Sequence, residues 1–233
     1  MRIAMWSGPR NISTAMMYSF GNREDFAAWD EPFYAAYLAA TGIDHPMRDE
    51  VLAAHESDPQ KVAEACVGPI PDGKEHFYMK HMPFHMVDGF PMDWARDCVN
   101  VHLIRHPARV VASYVAKREN PTMQDIGYAR QTELFQRIPG PVLDSGDIRN
   151  NPEGILRKLC DIIGLPFDTA MLSWPAGPKG FDGAWAPHWY GAVHRSTGFA
   201  GPEGPLPEVG GAQAALVEEA LPHYKKLFER RIR

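Results

Sequence analysis

Short apolar runs that stop at glycine, proline or aspartate, each followed by a stretch of helical character, recur along this chain. That alternation confines it to an α/β architecture: a mostly parallel sheet with helices on both faces, three layers deep. Arg2 to Trp6 is the first run, and Gly8-Pro9 ends it. Ser13 or Thr14 then offers an N-cap to the helical stretch Ala15 to Phe20. Phe26 to Trp29 ends at Asp30-Glu31-Pro32 and precedes a helix over Phe33 to Ala40. Residues 41–74 read as a helical connection in which Pro59 starts one helix.

The pattern continues with strands at Phe77 to Lys80, Val99 to Ile104 and Pro141 to Leu143. Helices are expected over Ala108 to Lys117, Asp125 to Arg137 and Pro152 to Ile163, the last closed by Gly164. Residues 166–211 are rich in Gly, Pro and Trp with little periodicity, which suits a lid over a site. A terminal amphipathic helix, roughly Ala212 to Arg231, carries Pro222 as a break or kink. No internal repeat or domain boundary shows, so residues 1–233 read as one domain.

Ligands of such sheets sit at the carboxyl ends of the strands. The turns after Trp6, Trp29, Lys80 and Ile104 all lie on that edge. With 233 residues and a 45% hydrophobic fraction, the core needs no disulfides. Cys66, Cys98 and Cys160 form no C-x-x-C pair, which argues against a zinc site and fits a reducing cytoplasm. No apolar run reaches the roughly 20 residues of a membrane span, and the first few residues are too short a run for a signal peptide. A formal net charge of −5 argues against general binding of nucleic acid or anionic membrane. Any anion site must therefore be local.

One such site is written into Ser7-Gly8-Pro9-Arg10-Asn11-Ile12-Ser13-Thr14. A strand, a tight loop and a helix start present backbone N–H groups and hydroxyls to phosphate or sulfate. The loop lacks Gly-Lys-Ser/Thr, so it is not an ordinary nucleoside-triphosphate loop, and Arg10 stands where that loop has lysine. Read alone, the segment is equally a plain strand–turn–helix with a surface arginine. The second element is Arg105-His106-Pro107-Ala108-Arg109-Val110-Val111-Ala112-Ser113-Tyr114. Arg105 at a strand end and Ser113 two turns into the next helix can hold one anion between them; the bland alternative is an arginine cap and a solvent-facing serine.

Together the two segments resemble the nucleotide-binding segments of sulfotransferases that use 3′-phosphoadenosine 5′-phosphosulfate. The family's first segment, Pro-Lys-Ser-Gly-Thr-Thr, is similar to Pro9 to Thr14, and its second, Arg-Asn-Pro-Lys-Asp-x-x-x-Ser-Tyr, to Arg105 to Tyr114. Met79-Lys80-His81-Met82-Pro83 looks like Lys-Thr-His-Leu-Pro of the cytosolic members, whose histidine is the general base. Pro178 to Trp185 resembles their Arg-Lys-Gly-x-x-Gly-Asp-Trp, with the first arginine and the aspartate missing. Asp144 to Leu165 looks like the family's late strand–loop–helix. The resemblance runs in order from Ile3 to Trp185.

It implies a P-loop-like fold, a metal-free sulfuryl transfer from that nucleotide, and a small-molecule or sugar-like acceptor. Arg10, Asn11, Ile12, Ser13 and Thr14 would hold the 5′-phosphosulfate. Arg105, Ser113, Lys179 and Gly180 would hold the 3′-phosphate. Two residues compete as base: His81, and Glu31, which resembles the glutamate of some bacterial members. Lys80 would help neutralise the transferring group. Ile12 and Ala15 depart from the family's glycine and adenine-stacking tryptophan, and His85 and His106 read as peripheral. An ATP-dependent phosphotransferase and a silent nucleotide-binding protein remain open alternatives.

Overall fold

In the computed structural model of the chain, residues 1–116 and 121–233 are described. Five strands form one parallel sheet: β1 (Arg2–Ser7), β2 (Phe26–Asp30), β3 (His76–His81), β4 (Val99–Ile104) and β5 (Val142–Asp144). Their spatial order is β2-β3-β1-β4-β5. Parallel pairing demands crossovers, and helices supply them: α1 (Ser13–Gly21), α2 (Tyr34–Thr41), α3 (Arg48–Ala54), α4 (Pro59–Val67), α5 (Pro107–Val115), α6 (Met123–Ile126) and α7 (Tyr128–Arg137). After β5 follow α8 (Ser145–Asn150), α9 (Pro152–Ile163), the short α10 (Ala186–Trp189) and α11 (Gly191–His194), and the terminal α12 (Gly211–Phe228). The expected α/β fold with helices on both faces is the fold observed.

Side chains alternate across each strand, so neighbouring residues enter different cores. Ile3 and Met5 of β1, Tyr78 of β3 and Val101 and Leu103 of β4 pack with α1, α2 and α9. Ala4 and Trp6 of β1 and Phe77 and Met79 of β3 pack on the other face with α4 and α7. A further cluster joins α5 to α12 beside β4 and β5. The connection leaving β1 runs towards β2 and the one leaving β4 runs towards β5, in opposite directions. The crevice between the carboxyl ends of β1 and β4 is therefore a topological switch point.

Some boundaries differ from the sequence expectation for physical reasons. The helix expected over Asp125 to Arg137 is two helices, because Gly127 takes φ 71° and ends α6 before α7 begins. Helix α12 continues through Pro222, since Val217, Ala220, Tyr224 and Leu227 bury one face of it on both sides of the proline. α5 is observed to Val115, and Lys117, the expected end of that helix, lies outside the described residues. In residues 166–211 Trp174, Trp185 and Tyr190 are buried, so much of this aperiodic stretch is packed against the core. Among the described residues no helix is long and apolar enough to cross a membrane.

Candidate active site

The loop between β1 and α1 turns sharply, with two non-glycine residues at positive φ. Neither Ser13 nor Thr14 is the N-cap of α1; Ile12 takes that place at φ 60° and caps no N–H with its side chain. Arg10 has the same positive φ. A β-branched residue there is strained by about 1–3 kcal/mol, and Ile12 stands where the resembling motif has glycine. At Gly8 an added Cβ would lie 2.9 Å from the Ile126 carbonyl oxygen, so only glycine fits the turn. Asn11 is buried and donates to the Leu103 carbonyl (3.3 Å), tying the loop to β4.

The two expected anion-binding segments meet here. Arg10 Nε donates to Ser113 Oγ (3.0 Å), and Arg105 Nη1 donates to the Arg10 carbonyl (2.6 Å). Burial, then the neighbouring Arg105, lowers the Arg10 pKa. Arg10, Ser13, Thr14, Arg105 and Ser113 all line one cavity of about 380 Å³. Its aromatic walls include Tyr34, Phe84, Trp185 and Trp189.

Glu31 and Lys80 line the same cavity. Lys80 is 1% exposed, and its ammonium donates to Asp30 Oδ1 (2.8 Å), Glu31 Oε1 (2.6 Å) and the Tyr190 hydroxyl (2.6 Å). The Tyr190 hydroxyl donates to Asp30 Oδ2 (2.7 Å) and accepts from Trp185 Nε1 (3.0 Å); the Gly183 N–H also donates to Asp30 Oδ2 (3.1 Å). Burial disfavours the Lys80 ammonium, but Asp30 and Glu31 outweigh it and raise the lysine pKa. Glu31 moves the other way from a paired acid. Burial, with Asp30 adding to it against the pull of Lys80, pushes its carboxyl up to about 7. Glu31 also sits at φ 40° before Pro32, a conformation that a residue preceding proline resists. His85 Nδ1 lies 3.9 Å from Glu31 Oε2, and its ring stacks on Tyr34 at 4.7 Å between centroids. Burial holds the His85 pKa well below its ordinary value, so the ring is neutral.

A phosphate-type loop on the switch edge of a parallel sheet, with a buried acid beside it, is an arrangement suited to group transfer. The sequence model of the family described as "Sulfotransferase domain" matches residues 1–231. The chain belongs to the sulfotransferase domain family. Solved structures of similar fold include a sulfotransferase from Alicyclobacillus acidocaldarius, with TM-score 0.57 and 10% identity over 99% of this chain and 96% of that one. Another is the sulfotransferase domain from the curacin biosynthetic pathway, with TM-score 0.51 and 14% identity over 94% of this chain and 96% of that one. At these identities the likeness is one of fold. Two Arabidopsis thaliana proteins named branched-chain-amino-acid aminotransferase-like protein 2 and 1 are 35% and 36% identical over 230 residues. The match covers 97% of this chain and 41% of each of theirs, so the chain spans about two fifths of the length of these curated relatives.

Not every residue that pointed to the sulfotransferase family reaches the cavity. His81 does not: it follows Lys80 on β3, so its ring emerges on the opposite face of the sheet. There it stacks on Trp6 (4.6 Å) and lies 4.9 Å from Trp94, and burial lowers its pKa to about 3. Its Nε2 is buried without a partner. Replacing His81 with leucine is therefore expected to leave turnover within about threefold of wild type, while removing an unpartnered buried polar atom. A loss of two orders of magnitude in kcat would return His81 to the chemistry.

Lys179 and Gly180 are likewise outside the cavity lining. The Lys179 ammonium donates to the Pro175 carbonyl (2.5 Å) and lies 5.4 Å from the Tyr18 ring centroid. Asp182 holds this segment down by accepting from Tyr18 (2.7 Å) and the Lys179 N–H (2.8 Å). Lys80 lines the cavity, yet its three donors are filled by Asp30, Glu31 and Tyr190, which leaves none for a transferring group. Sequence reasoning assigned no role to Asp30, read Tyr190 only as a lid residue lining the acceptor pocket, and placed His85 at the periphery. The links of Asp30 and Tyr190 to Lys80 are long-range ones, and the only local signal for Asp30 was its place at the end of a strand.

Proposed function

We propose that this chain transfers a sulfuryl group from 3′-phosphoadenosine 5′-phosphosulfate to a hydroxyl of a small-molecule acceptor, with Glu31 as general base. The observation that carries the reading is a buried carboxylate with its pKa near 7, opening on the cavity that holds the Arg10 loop. A base titrating near neutrality combines a useful deprotonated fraction with real proton affinity. The loop suits the donor: the first turn of α1 carries no side-chain cap, and Arg10, Ser13, Thr14 and Ser113 line the same cavity.

The donor supplies an activated sulfuryl group. The acceptor oxygen forms a bond to sulfur as the bond from sulfur to the bridging oxygen breaks, and that electron pair stays on the departing phosphate. Glu31 takes the acceptor proton. Arg10 and the N–H groups at the start of α1 stabilise the charge gathering on the phosphate, as preorganised donors do in oxyanion-type sites. Lys80 holds Glu31 in place through the 2.6 Å bond, and Asp30 and Tyr190 hold Lys80. Ser113 and Arg105, beside Arg10, suit the second, 3′-phosphate end of the donor. The walls formed by Tyr34, Phe84, Trp185 and Trp189 suit an acceptor with an apolar face.

Adenosine 3′,5′-bisphosphate, the desulfated donor, is expected to raise the melting temperature by roughly 5–10 °C at a hundredfold excess over its Kd. Adenosine 5′-monophosphate at the same concentration should give a clearly smaller shift. Equal shifts from both would remove the 3′-phosphate from the reading. A shift seen only with magnesium and ATP would favour a phosphotransferase.

A further inference from the structure

Three arginines from three elements converge on one carboxylate. Glu203 Oε1 accepts from Arg105 Nη2, after β4, and from Arg149 Nη1 of α8 (2.7 Å), while Oε2 faces Arg109 Nε of α5 at 2.8 Å. The same cations hold the backbone beside it. Arg149 Nε donates to the Gly201 carbonyl (2.8 Å), and Arg109 Nη2 donates to that of Gly204. From residue 199 to 210 the chain has no regular structure. Gly201, Pro202, Gly204, Pro205 and Leu206 are exposed, whereas the Glu203 side chain is 7% exposed. No side chain between residues 200 and 208 belongs to a core cluster. An acidic side chain and its arginines, rather than apolar packing, fasten this stretch.

The cluster is over-supplied with positive charge for that occupant. Three guanidiniums face one carboxylate, and Arg105 Nε is buried without a partner. A phosphate monoester carries about −1.5 to −2 charge and three strong acceptor oxygens, so it matches the triad better than a carboxylate does. The triad also opens on the catalytic cavity: Arg105 and Arg149 line it, together with Phe199 and Ala200 from the stretch that carries Glu203.

We infer that Arg105, Arg109 and Arg149 form a phosphomonoester site in which Glu203 is an internal occupant, and that an incoming phosphate displaces Glu203 with the strap of residues 200–206. In identifying the phosphate as the 3′-group of the donor, the inference rests on the function proposed above. Arg109 and Arg149 thereby join Arg105 as binding residues. Displacement has a consequence for affinity, since part of the binding energy goes into freeing the triad.

Calorimetric titration of wild type, Glu203→Gln and Arg149→Met with adenosine 3′,5′-bisphosphate, adenosine 5′-monophosphate and inorganic phosphate tests this. Glu203→Gln is expected to bind the bisphosphate about tenfold more tightly and the monophosphate unchanged, and Arg149→Met to bind the bisphosphate at least about tenfold more weakly. In wild type, cleavage after Glu203 by a glutamate-specific protease should speed up when the bisphosphate is bound, because the Glu203 side chain is then free of the arginines, a readout that needs no variant. Equal affinity of wild type and Glu203→Gln for the bisphosphate, with cleavage after Glu203 unchanged, would overturn the strap and leave the nucleotide reading standing. Should no protein bind either nucleotide, the nucleotide reading fails. Tighter inorganic phosphate binding by Glu203→Gln would still support the triad, and unchanged phosphate binding would overturn it too.

Discussion

Replacing Lys80 with methionine is expected to cost about 3–5 kcal/mol of stability, the largest loss of any single substitution in the site. The ammonium is 1% exposed and is shared by Asp30 (1% exposed side chain) and Glu31 (9%). Removing it leaves two carboxylates side by side with no cation, and the Tyr190 hydroxyl keeps only the Trp185 Nε1 donor of its two. Methionine fills the volume of the stem, so the deficit reports charge rather than a cavity. For a chain of this size the loss corresponds to a melting temperature lower by roughly 6–20 °C. Two controls separate this cause from general damage. Adding Glu31→Gln to the Lys80→Met background removes one orphaned charge and should return part of the loss. The deficit should also narrow at pH 5, where protons take over part of the neutralising role of Lys80. A Lys80→Met protein as stable as wild type at pH 7 would mean that the buried pair carries no net weight.

The Lys80 result also bears on what the sequence made legible. Strand β4 and helix α9 were read with the bounds observed, because Val99, Val101, Leu103 and Ile104 make a short β-favouring run that stops at Arg105-His106-Pro107, and α9 begins at Pro152 and ends before Gly164, at φ 72°. The Arg10 loop and the Arg105–Ser113 pair were legible for the same local reason: each is a short motif at a strand end. The choice between His81 and Glu31 was not. Adjacent residues on a strand face opposite ways, so only one of Lys80 and His81 can point at Glu31. In a parallel sheet buried on both faces, residues of both sets are apolar, and periodicity does not tell which face carries the site. Phe77, Met79 and His81 therefore looked as eligible as Tyr78 and Lys80. The contact of Tyr190 with Lys80 and that of Glu203 with Arg105 lay beyond reach for another reason. The two partners stand 110 and 98 residues away, and nothing local to Tyr190 or Glu203 points to them.

Glu31→Gln is expected to lower kcat by about 10²–10⁴, the range for loss of a positioned general base. Glutamine keeps the shape and still accepts the Lys80 hydrogen bond through its carbonyl oxygen, so the strained turn at Pro32 and the Lys80–Asp30–Tyr190 network stay in place. What it cannot do is take a proton from the acceptor. The pH profile separates this from a folding defect. Burial raises the Glu31 pKa to about 7, so the acid form prevails below that value and the base form above it. Wild-type kcat/KM should accordingly rise with pH up to about 7 and then level, and Glu31→Gln should lose that acid limb. The sign follows from the role: only the deprotonated carboxylate accepts the acceptor proton, so acid suppresses the rate. Affinity for adenosine 3′,5′-bisphosphate should stay close to that of wild type, because the proposed role of Glu31 is towards the acceptor rather than the phosphates. The measurement uses any alcohol that turns over in an acceptor panel, with release of the bisphosphate as the signal. A flat wild-type profile between pH 5 and 8, or a variant that keeps full kcat, would take the proton transfer away from Glu31. His85, which lines the same cavity with its Nδ1 3.9 Å from Glu31 Oε2, would then be the next group to test.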